Sequence, residues 1–381
     1  MIRIAVPGIR NFYRGGTSTF VYMIGTFLCE NIKFDYMSFR LPSEKKYVDQ
    51  IEKNGGSFTV LNNCRIPLIS TIINFFTLYN HLKKNKYILC YINVQNAFEM
   101  LYLSLAALFS GIPVRIGHSH NSGINAKGKK YIKKYILHIL SKLLLPLVTT
   151  DYLSCSDKAS VWMYSSYIRK KKRIVKINNP VDIKKFIFDE MMRGDKRSNL
   201  KISNNLVIGN VAQFVYQKNH IFILMIFREV LKIKKDAILF LIGQGPLYIE
   251  IKKKAVELDI INNIVFLDFT PNIYEYMQVF DVFLLPSRFE GLPIVGIEAQ
   301  STGLPCFFSD SITKEVNVTN NCFFLSLKEK PEVWARSIIE SLQSFERKDC
   351  SDLVKKAGYD IKESADKIEK IFTELYNRHN K

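Results

Sequence analysis

Residues 286–305, PSRFEGLPIVGIEAQSTGLP, follow an apolar run at 282–285 and give the clearest indication of the fold. A short apolar run of this kind is typical of a parallel strand that is buried on both faces. Pro293 suits the first turn of a helix, where no N–H partner is lost, and we predict a helix at about 293–302. A strand, a glycine loop and a helix in this order indicate one unit of a doubly wound sheet.

The same alternation of strand and helix extends over the whole chain. Apolar runs predict strands at 2–6, 34–37, 58–61, 88–92, 114–117, 152–155 and 174–177, and again at 206–211, 238–242, 264–267, 282–285, 306–309 and 323–325. Amphipathic segments predict helices at 17–29, 69–82, 217–233, 247–258, 331–344 and 361–379. The polar segment 189–205 lacks periodicity, and we interpret it as the connection between two domains.

We therefore expect an α/β protein with two Rossmann-like domains whose parallel sheets face an interdomain cleft. The first domain is predicted to span residues 1–188 and the second residues 189–360. Residues 361–381 are predicted to form a C-terminal helix that packs back towards the first domain. A chain of 381 residues exceeds what one core usually organises, which agrees with two domains.

The positive charge of the chain is concentrated in its first half. Residues 1–200 carry 31 Lys and Arg against 12 Asp and Glu, whereas residues 201–381 carry 23 of each kind. This distribution predicts a basic first domain and a neutral second one. The seven cysteines are scattered without a Cys-x-x-Cys pair, so they indicate neither a disulfide framework nor a zinc knuckle, and they fit a reducing cytosol.

Two glutamates in the opening stretch have the position and chemistry of ligand-binding residues. Glu290 lies in the loop before the predicted helix, and Glu298 lies in its second turn. A carboxylate accepts two hydrogen bonds from vicinal hydroxyls, so one suits a sugar hydroxyl and the other a ribose diol. The N–H groups near Gly291 and Leu292 can face a phosphate at the helix N-terminus. From the residues alone, the alternative is that Glu290 caps the helix and Glu298 is a solvated surface residue.

The stretch 286–305 closely resembles the Glu-x7-Glu signature of family 4 glycosyltransferases, which are retaining enzymes of the GT-B fold. Residues 216–220, YQKNH, look like the family's donor-phosphate lysine motif, and residues 241–246, LIGQGP, resemble its strand-end Gly-x-Gly-Pro. The branch that the chain resembles most builds bacterial capsular and exopolysaccharides. The resemblance implies a nucleoside-diphosphate sugar as co-substrate and no other cofactor.

The resemblance also assigns roles to single residues. It implies His118, Glu290 and Lys218 as catalytic residues, with His120 as the alternative histidine. The donor-binding residues that it implies are Gly15, Gly16, Gln213, Lys218, Gly243, Gly245, Phe269, Glu290, Gly291, Leu292 and Glu298. Residues 177–182, INNPVD, resemble the family's interdomain string, and we interpret them as a hinge.

One position departs from the family's pattern. The family usually carries an arginine five residues before the motif lysine, where this sequence has Gln213. An amide donates hydrogen bonds but does not neutralise a departing diphosphate, and charge-assisted contacts are roughly twice as strong as neutral ones. Arg288 and Arg14 are the candidate cations that would compensate.

We expect the site to work without a metal ion. The sequence contains no Asp-x-Asp, and no His, Cys and Asp cluster has the spacing of metal ligands. The diphosphate would then be held by Lys218, by glycine-loop amides and by a helix dipole.

Residues 128–145 have the pattern of a basic, amphipathic helix. The lysines that fall towards one side are Lys130, Lys133, Lys134 and Lys142. The apolar residues that form a stripe are Ile132, Ile136, Ile139 and Leu143. Together with the basic run at 169–173, the segment suits an anionic membrane surface, where each basic residue contributes about 1 kcal/mol. The alternative is an ordinary helix that packs its stripe on the sheet. We expect no nucleic-acid partner, because no nucleic-acid fold signature accompanies the charge.

The function that we expect is retaining transfer of a hexose or N-acetylhexosamine to a lipid-linked or growing glycan of the bacterial surface. We expect the protein in the cytoplasm, peripheral on the inner face of the plasma membrane. Two alternatives stay open. One is a nucleotide-sugar epimerase of the same architecture, and the other is a weakly active or non-catalytic partner subunit, which Gln213 suggests.

Overall fold

The computed structural model describes residues 1–9, 16–42, 45–61, 70–121, 123 and 128–380. The chain forms two compact units, one of residues Met1–Pro180 with Ile361–Lys381 and the other of residues Val181–Asp360. Among the described helices, none combines the length and the apolar character needed to cross a membrane.

The first unit is built on a parallel sheet. Its strands are β1 (Ile2–Ile9), β2 (Ile32–Ser38), β3 (Ser57–Val60), β4 (Leu89–Val94), β5 (Val114–Ser119), β6 (Asp151–Ser154) and β7 (Ile174–Lys176). Within the described residues their order is β3-β2-β1-β4-β5-β6-β7, and every neighbouring pair is parallel. The central strands β1 and β4 are mostly apolar because helices cover both faces of the sheet.

The helices of the first unit are α1 (Gly16–Phe27), α2 (Lys45–Lys53), α3 (Ser70–Asn85), α4 (Ala97–Phe109), α5 (Gly128–Val148), α6 (Asp157–Met163) and α7 (Ser166–Lys171), joined by α15 (Ile361–His379). One apolar cluster lies between the sheet and helices α1 and α15, and another lies on the opposite face with α3 and α4. The buried residues of α15 recur at helical spacing, at Ile361, Ala365, Ile368, Phe372 and Leu375. The helix therefore packs on the first unit although it follows the second in the chain.

The second unit repeats the design. Its strands are β8 (Val207–Val211), β9 (Ile238–Ile242), β10 (Ile264–Leu267), β11 (Val282–Leu285), β12 (Cys306–Ser309) and β13 (Cys322–Leu325). The order in the described sheet is β10-β9-β8-β11-β12-β13, again parallel throughout. Its helices are α8 (Glu190–Asn199), α9 (His220–Ile233), α10 (Tyr248–Glu257), α11 (Ile273–Val279), α12 (Ile294–Ser301), α13 (Pro331–Ser341) and α14 (Ser351–Lys356). Helices α9, α10 and α13 enclose its main apolar cluster.

Every strand predicted from the sequence overlaps an observed strand, and the α/β class with two parallel sheets is confirmed. The boundary between the units falls at 180/181, inside the string 177–182 and before the predicted boundary at 188/189. The N–H of Val181 donates to the carbonyl of Tyr359 at 2.8 Å, and Ile183 and Phe186 are buried in the second unit. These contacts assign residues 181–188 to the second unit.

The interpretation of residues 189–205 as an irregular connection is wrong. Most of the segment forms α8, which packs against α11. Arg193 donates to Asp281 at 2.5 Å, and the buried Arg197 donates to the same carboxylate and to backbone carbonyls. The spacing of apolar residues does not predict this helix, because its contacts with the second unit are made by charged side chains rather than by an apolar stripe.

Candidate functional site

Four loops of the second unit meet at one edge of its sheet. They span residues 212–219, 243–247, 268–272 and 286–293, and each follows one of the neighbouring strands β8, β9, β10 and β11. Because the strands are parallel, the loops share the carboxyl edge, which is where open α/β sheets bind ligands. The residues predicted from the sequence for the second unit lie in these loops or in the helix that follows the last one.

Lys218 and Glu290 form an ion pair across two of these loops. The ammonium nitrogen of Lys218 lies 2.5 Å from a carboxylate oxygen of Glu290, and the side chains are only 17% and 9% exposed. Lys218 ends a 3-10 turn. The sequence predicts it inside a helix that begins at about 217, but α9 begins only at His220, after Asn219, whose φ is 57°. The structure thus brings together two of the three predicted catalytic residues.

Hydrogen bonds between the same two loops fix this pair in place. The N–H of Arg288 donates to the carbonyl of Gln217 at 2.7 Å, and the amide of Gln217 donates to the carbonyl of Phe289 at 2.9 Å. The guanidinium of Arg288 donates to the side chain of Asn219 at 2.7 Å and lies 4.5 Å from the centre of the Tyr216 ring. Arg288 therefore holds the loops together.

The two glycines after β9 allow the loop to approach the end of β8. A Cβ atom at Gly243 would lie 2.1 Å from the carbonyl oxygen of Ala212, and one at Gly245 would lie 2.5 Å from that of Phe214. Both glycines have positive φ values, 151° and 159°, which L side chains rarely adopt. The loop 243–247 is thus in close contact with the backbone of the residues before and after Gln213. Contacts within the protein already account for both glycines, and their predicted role in donor binding stays a prediction.

Glu298 is a half-buried carboxylate on α12. Burial raises the pKa of Glu298 to about 7. Its carboxylate has no hydrogen-bond or ion-pair partner in the part of the chain that the structure describes. The opposite side of α12 is fixed by Gln300, whose amide donates to the carbonyl of Val316 at 2.7 Å and accepts from the N–H of Val318. The helix therefore holds an unsatisfied acceptor on a rigid support.

The other predicted donor-binding residues have these positions. Phe269 is half-buried just after β10, and Gly291 and Leu292 are buried in the loop before α12. Gly16 is the first residue of α1, whereas Gly15, like the candidate cation Arg14, lies outside the described residues. The predicted residues therefore form two groups, one in each unit.

The group in the first unit is centred on His118, at the carboxyl end of β5. His118 is fully buried, and its Nδ1 lies 2.7 Å from the hydroxyl of Tyr91. The Tyr91 ring is in turn held edge-on by Phe372 of α15, at 5.0 Å between centroids. A buried phenol needs an acceptor for its proton, and Nδ1 supplies one. His118 is then the tautomer with its proton on Nε2, and Nε2 has no partner among the described residues.

His120 lies beside His118, with 4.0 Å between ring centroids. Its Nδ1 is 3.0 Å from the amide of Asn179, and its Nε2 is 3.1 Å from the amide of Asn93. Burial lowers the pKa of His120 to about 4, so the ring is neutral near pH 7 and carries one N–H. One amide must then donate to the ring. Asn93 fits this role because its Nδ2 has no partner elsewhere in the described residues.

Burial also lowers the pKa of His118 well below its usual range, and the neighbouring His120 lowers it further. A histidine that stays neutral at physiological pH and carries its proton on Nε2 is a hydrogen-bond donor rather than a base. His118 therefore carries a buried Nε2 donor that no described residue uses, and its predicted role towards the sugar stays a prediction.

Three residues of this group were not predicted: Tyr91, Asn93 and Asn179. Asn93 is a polar residue near the carboxyl end of β4, next to β5, and a polar residue at this position in a buried strand indicates a candidate site residue. Asn179 lies in the string 177–182, which we had interpreted only as a hinge. Tyr91 reads in the sequence as one more apolar residue of a buried strand, so nothing distinguished it.

No group of three or more His, Cys, Asp or Glu side chains within reach of a common metal ion occurs in the described ranges. Independence from metal ions stays a prediction.

Residues 192–359 match the sequence profile of the family described as "Glycosyl transferases group 1". The match contains Gln213, Lys218, Glu290 and Glu298, and the loops that carry them. The second unit of the chain therefore resembles the group 1 glycosyltransferases.

Two curated glycosyltransferases are similar to most of the chain. The putative glycosyltransferase EpsF of Bacillus subtilis is 28% identical over 364 residues, which are 94% of this chain and 93% of EpsF. An Escherichia coli protein named UDP-Gal:alpha-D-GlcNAc-diphosphoundecaprenol alpha-1,3-galactosyltransferase is 24% identical over 86% of each chain. The similarity to these two proteins therefore extends over the first unit, which the family profile does not reach.

The fold agrees with solved glycosyltransferase structures. Anabaena HepE, crystallised with UDP and glucose, has a TM-score of 0.75 at 14% identity and covers 98% of this chain and 100% of its own. The likeness at this identity concerns the fold alone, and it confirms the predicted GT-B class. The narrower predictions, family 4 and retention at the anomeric carbon, are not decided by this likeness.

Proposed function

We propose that the protein is a group 1 glycosyltransferase that moves a hexose or N-acetylhexosamine from a nucleoside-diphosphate sugar to a lipid-linked or growing glycan, with retention at the anomeric carbon. The proposal places it in the biosynthesis of a bacterial surface polysaccharide. The observation that carries it is the arrangement at the carboxyl edge of the second sheet, where the Lys218–Glu290 pair and the unpaired Glu298 lie in adjoining segments. The names of the E. coli relative and of the Anabaena structure support a sugar nucleotide as donor.

The ion pair provides a cation for the donor diphosphate. In the free protein Glu290 neutralises Lys218, so neither charge is left unpaired in a largely buried position. A bound diphosphate offers the ammonium two or more anionic oxygens, which make stronger contacts than one carboxylate. Lys218 then turns to the leaving group, and Glu290 is released to accept hydrogen bonds from the sugar hydroxyls.

Glu298 is suited to the ribose of the donor. Its carboxylate lies on α12, whose opposite side is fixed by Gln300, and has free acceptor positions for two vicinal hydroxyls. Ligand hydroxyls also stabilise the ionised form of a carboxylate whose pKa burial has raised. The donor would therefore lower the pKa of Glu298 as it binds.

In the transfer step the bond between the anomeric carbon and the diphosphate oxygen breaks as the bond to the acceptor oxygen forms on the same face. The acceptor hydroxyl gives its proton to the departing diphosphate, which then needs no protein base. Lys218 stabilises the charge that develops on the leaving group. His118, neutral and protonated on Nε2, positions the sugar through a hydroxyl oxygen.

We propose that the acceptor is carried by a membrane lipid, on the inner face of the plasma membrane, and that the protein is peripheral there. The E. coli relative is named for a diphosphoundecaprenol acceptor. The excess of positive charge in residues 1–200 suits an anionic lipid surface. A basic first unit bound to such a membrane surface would be close to acceptors that are anchored in the same membrane by their lipid.

The first test is the binding of the donor. A panel of nucleotide sugars is screened for stabilisation against heat, and the best one is titrated by calorimetry into the wild-type protein and Glu298→Ala. The loss of a charged hydrogen-bonding partner is worth roughly 1.5–3 kcal/mol, which is about a tenfold to hundredfold increase in Kd. Glu250→Ala, at an exposed position in the first turn of α10, is the matched control and should bind like the wild type. An unchanged Kd for Glu298→Ala would remove this residue from the donor site.

The alternative of a non-catalytic partner subunit is favoured by one observation, Gln213 in place of the usual arginine. Gln213→Arg tests it, because a second cation at the end of β8 should tighten donor binding and raise the rate of transfer. If the wild type transfers no sugar from any donor and Gln213→Arg does, the protein is a partner subunit that has lost this contact. An epimerase would convert the donor in the absence of any acceptor.

A further inference from the structure

Helix α5 packs on the first unit through a narrow stripe. Its buried residues are His138, Ser141, Leu145 and Val148, which recur at helical spacing along one side. His138 accepts the N–H of Ala97 at 3.1 Å and hydrogen-bonds the carbonyl of Trp162 at 3.1 Å. The inward side of the helix is thus partly polar, and hydrogen bonds anchor it.

The opposite side of α5 is apolar and exposed. Five residues form a row along it, each 53–73% exposed: Ile132, Ile136, Leu140, Leu143 and Leu147. At 1.5 Å per residue this row is roughly 22 Å long. Single exposed apolar residues are ordinary on a protein surface, but a continuous row marks a surface that binds something apolar. The alternative that this stripe packs on the sheet is therefore wrong for Ile132, Ile136 and Leu143.

Basic residues border the row. Lys129 and Lys133 are exposed on the same side of α5, at its N-terminal end. The ammonium of Lys142 donates to the carbonyls of Val161 and Trp162, which joins α5 to the end of α6. Burial and, secondarily, the charge of Arg169 lower the pKa of Lys142, so Arg169, which begins the exposed basic run at 169–173, lies near Lys142.

Charge decides which occupant fits this apolar row. A second copy of the chain would bring an equally basic unit against it, since residues 1–200 carry 31 cationic against 12 acidic side chains. Like charges at close range oppose such a contact. A bilayer with anionic headgroups offers both an apolar interior for the leucines and negative charge for the lysines.

We infer that the outward face of α5 inserts into the headgroup and acyl boundary of an anionic bilayer and holds the first unit on the membrane. This inference deepens the membrane part of the proposed function by naming the surface that makes the contact. In this arrangement the lysines and the run at 169–173 stay at the headgroups while the row from Ile132 to Leu147 lies below them. The contact needs no nucleotide sugar, so it is tested independently of transfer.

The test is co-sedimentation of the full-length protein with vesicles of phosphatidylglycerol and phosphatidylcholine in equal parts. We expect the double variant Leu140→Gln, Leu143→Gln to bind these vesicles at least about tenfold more weakly than the wild type, because it loses two partly inserted side chains. The matched control is Ile249→Gln, Val256→Gln, which changes two exposed apolar residues of α10 in the second unit. The control should bind like the wild type, and both variants should keep the wild-type melting temperature.

Salt separates insertion from adsorption by charge alone. Raising the salt concentration screens the lysines, so wild-type binding should weaken without disappearing, while the double variant should lose binding altogether. Equal binding of the double variant and the wild type in low salt would overturn the inference. So would a wild type that fails to bind vesicles and sediments as a dimer which the double variant converts to a monomer, since the row would then be an interface between two copies.

Discussion

His220, the first residue of α9, offers a prediction whose size can be worked out from the structure. Its ring is buried and stacked on Phe214, with 4.3 Å between centroids, and neither ring nitrogen has a partner among the described residues. Burial, and secondarily the charge of Lys218, lowers the pKa of His220 from 6.5 to about 3. Folding therefore requires this ring to stay neutral.

The sign of the pH dependence follows from linkage. Because the folded pKa of His220 lies below the unfolded one, the unfolded state binds the proton more readily between these values. The free energy of unfolding then falls as the pH drops below about 6.5. With pKa values of 6.5 and about 3, the loss between pH 7.5 and pH 5 is about 2 kcal/mol from this group alone.

The perturbation that tests this is His220→Phe, which keeps an aromatic ring on Phe214 and removes no hydrogen bond seen in the described residues. At pH 7.5 its free energy of unfolding should lie within about 1 kcal/mol of the wild-type value, in keeping with a near-isosteric exchange. The difference in free energy of unfolding between the variant and the wild type should increase by about 2 kcal/mol, in favour of the variant, when the pH is lowered from 7.5 to 5.

The assay is urea unfolding followed by the fluorescence of Trp334, in a Trp162→Phe background. Trp334 is fully buried in the second unit, and its ring lies 5.6 Å from Phe222 of α9, so it reports on the unit that contains His220. The control is His379→Phe, at the exposed end of α15 in the first unit. If wild type and His220→Phe lose the same free energy between pH 7.5 and pH 5, the ring is not held neutral by burial.

Three further outcomes are expected. Donor affinity should rise from pH 6 to pH 8 as the Glu298 carboxyl, whose pKa burial raises to about 7, ionises; Glu298→Gln should bind more weakly, with a flat profile in calorimetry. Tyr91→Phe should leave the Nδ1 of His118 unpaired, which lowers stability by about 1 kcal/mol, and nitrogen NMR of the imidazole should show a mixture of tautomers instead of one. Gly245→Ala should destabilise the second unit by about 2 kcal/mol or more in the Trp334 assay, because its Cβ would overlap the backbone of Phe214.

The sequence by itself determined the class of fold and the position of the loops that we propose for donor binding. Buried parallel strands are apolar runs, and a glycine or proline marks the loops after β9, β10 and β11, so these features can be recognised within single segments. The stretch 286–305 placed Glu290 in a loop and Glu298 in the second turn of α12, as observed. The same local patterns did not reveal α8, because charged contacts to Asp281 rather than an apolar stripe attach it.

The tertiary structure decided which residues meet. Lys218 and Glu290 are 72 residues apart, and Tyr91 and His118 are 27 apart, yet each pair is within hydrogen-bonding distance. No local pattern encodes such a partner, since it depends on which strands become neighbours. The α5 helix shows the same limit. Its sequence displays an apolar stripe, but only packing determined that the stripe faces outward while His138 and Ser141 are buried. An amphipathic pattern defines two sides of a helix, and the rest of the fold decides which of them is buried.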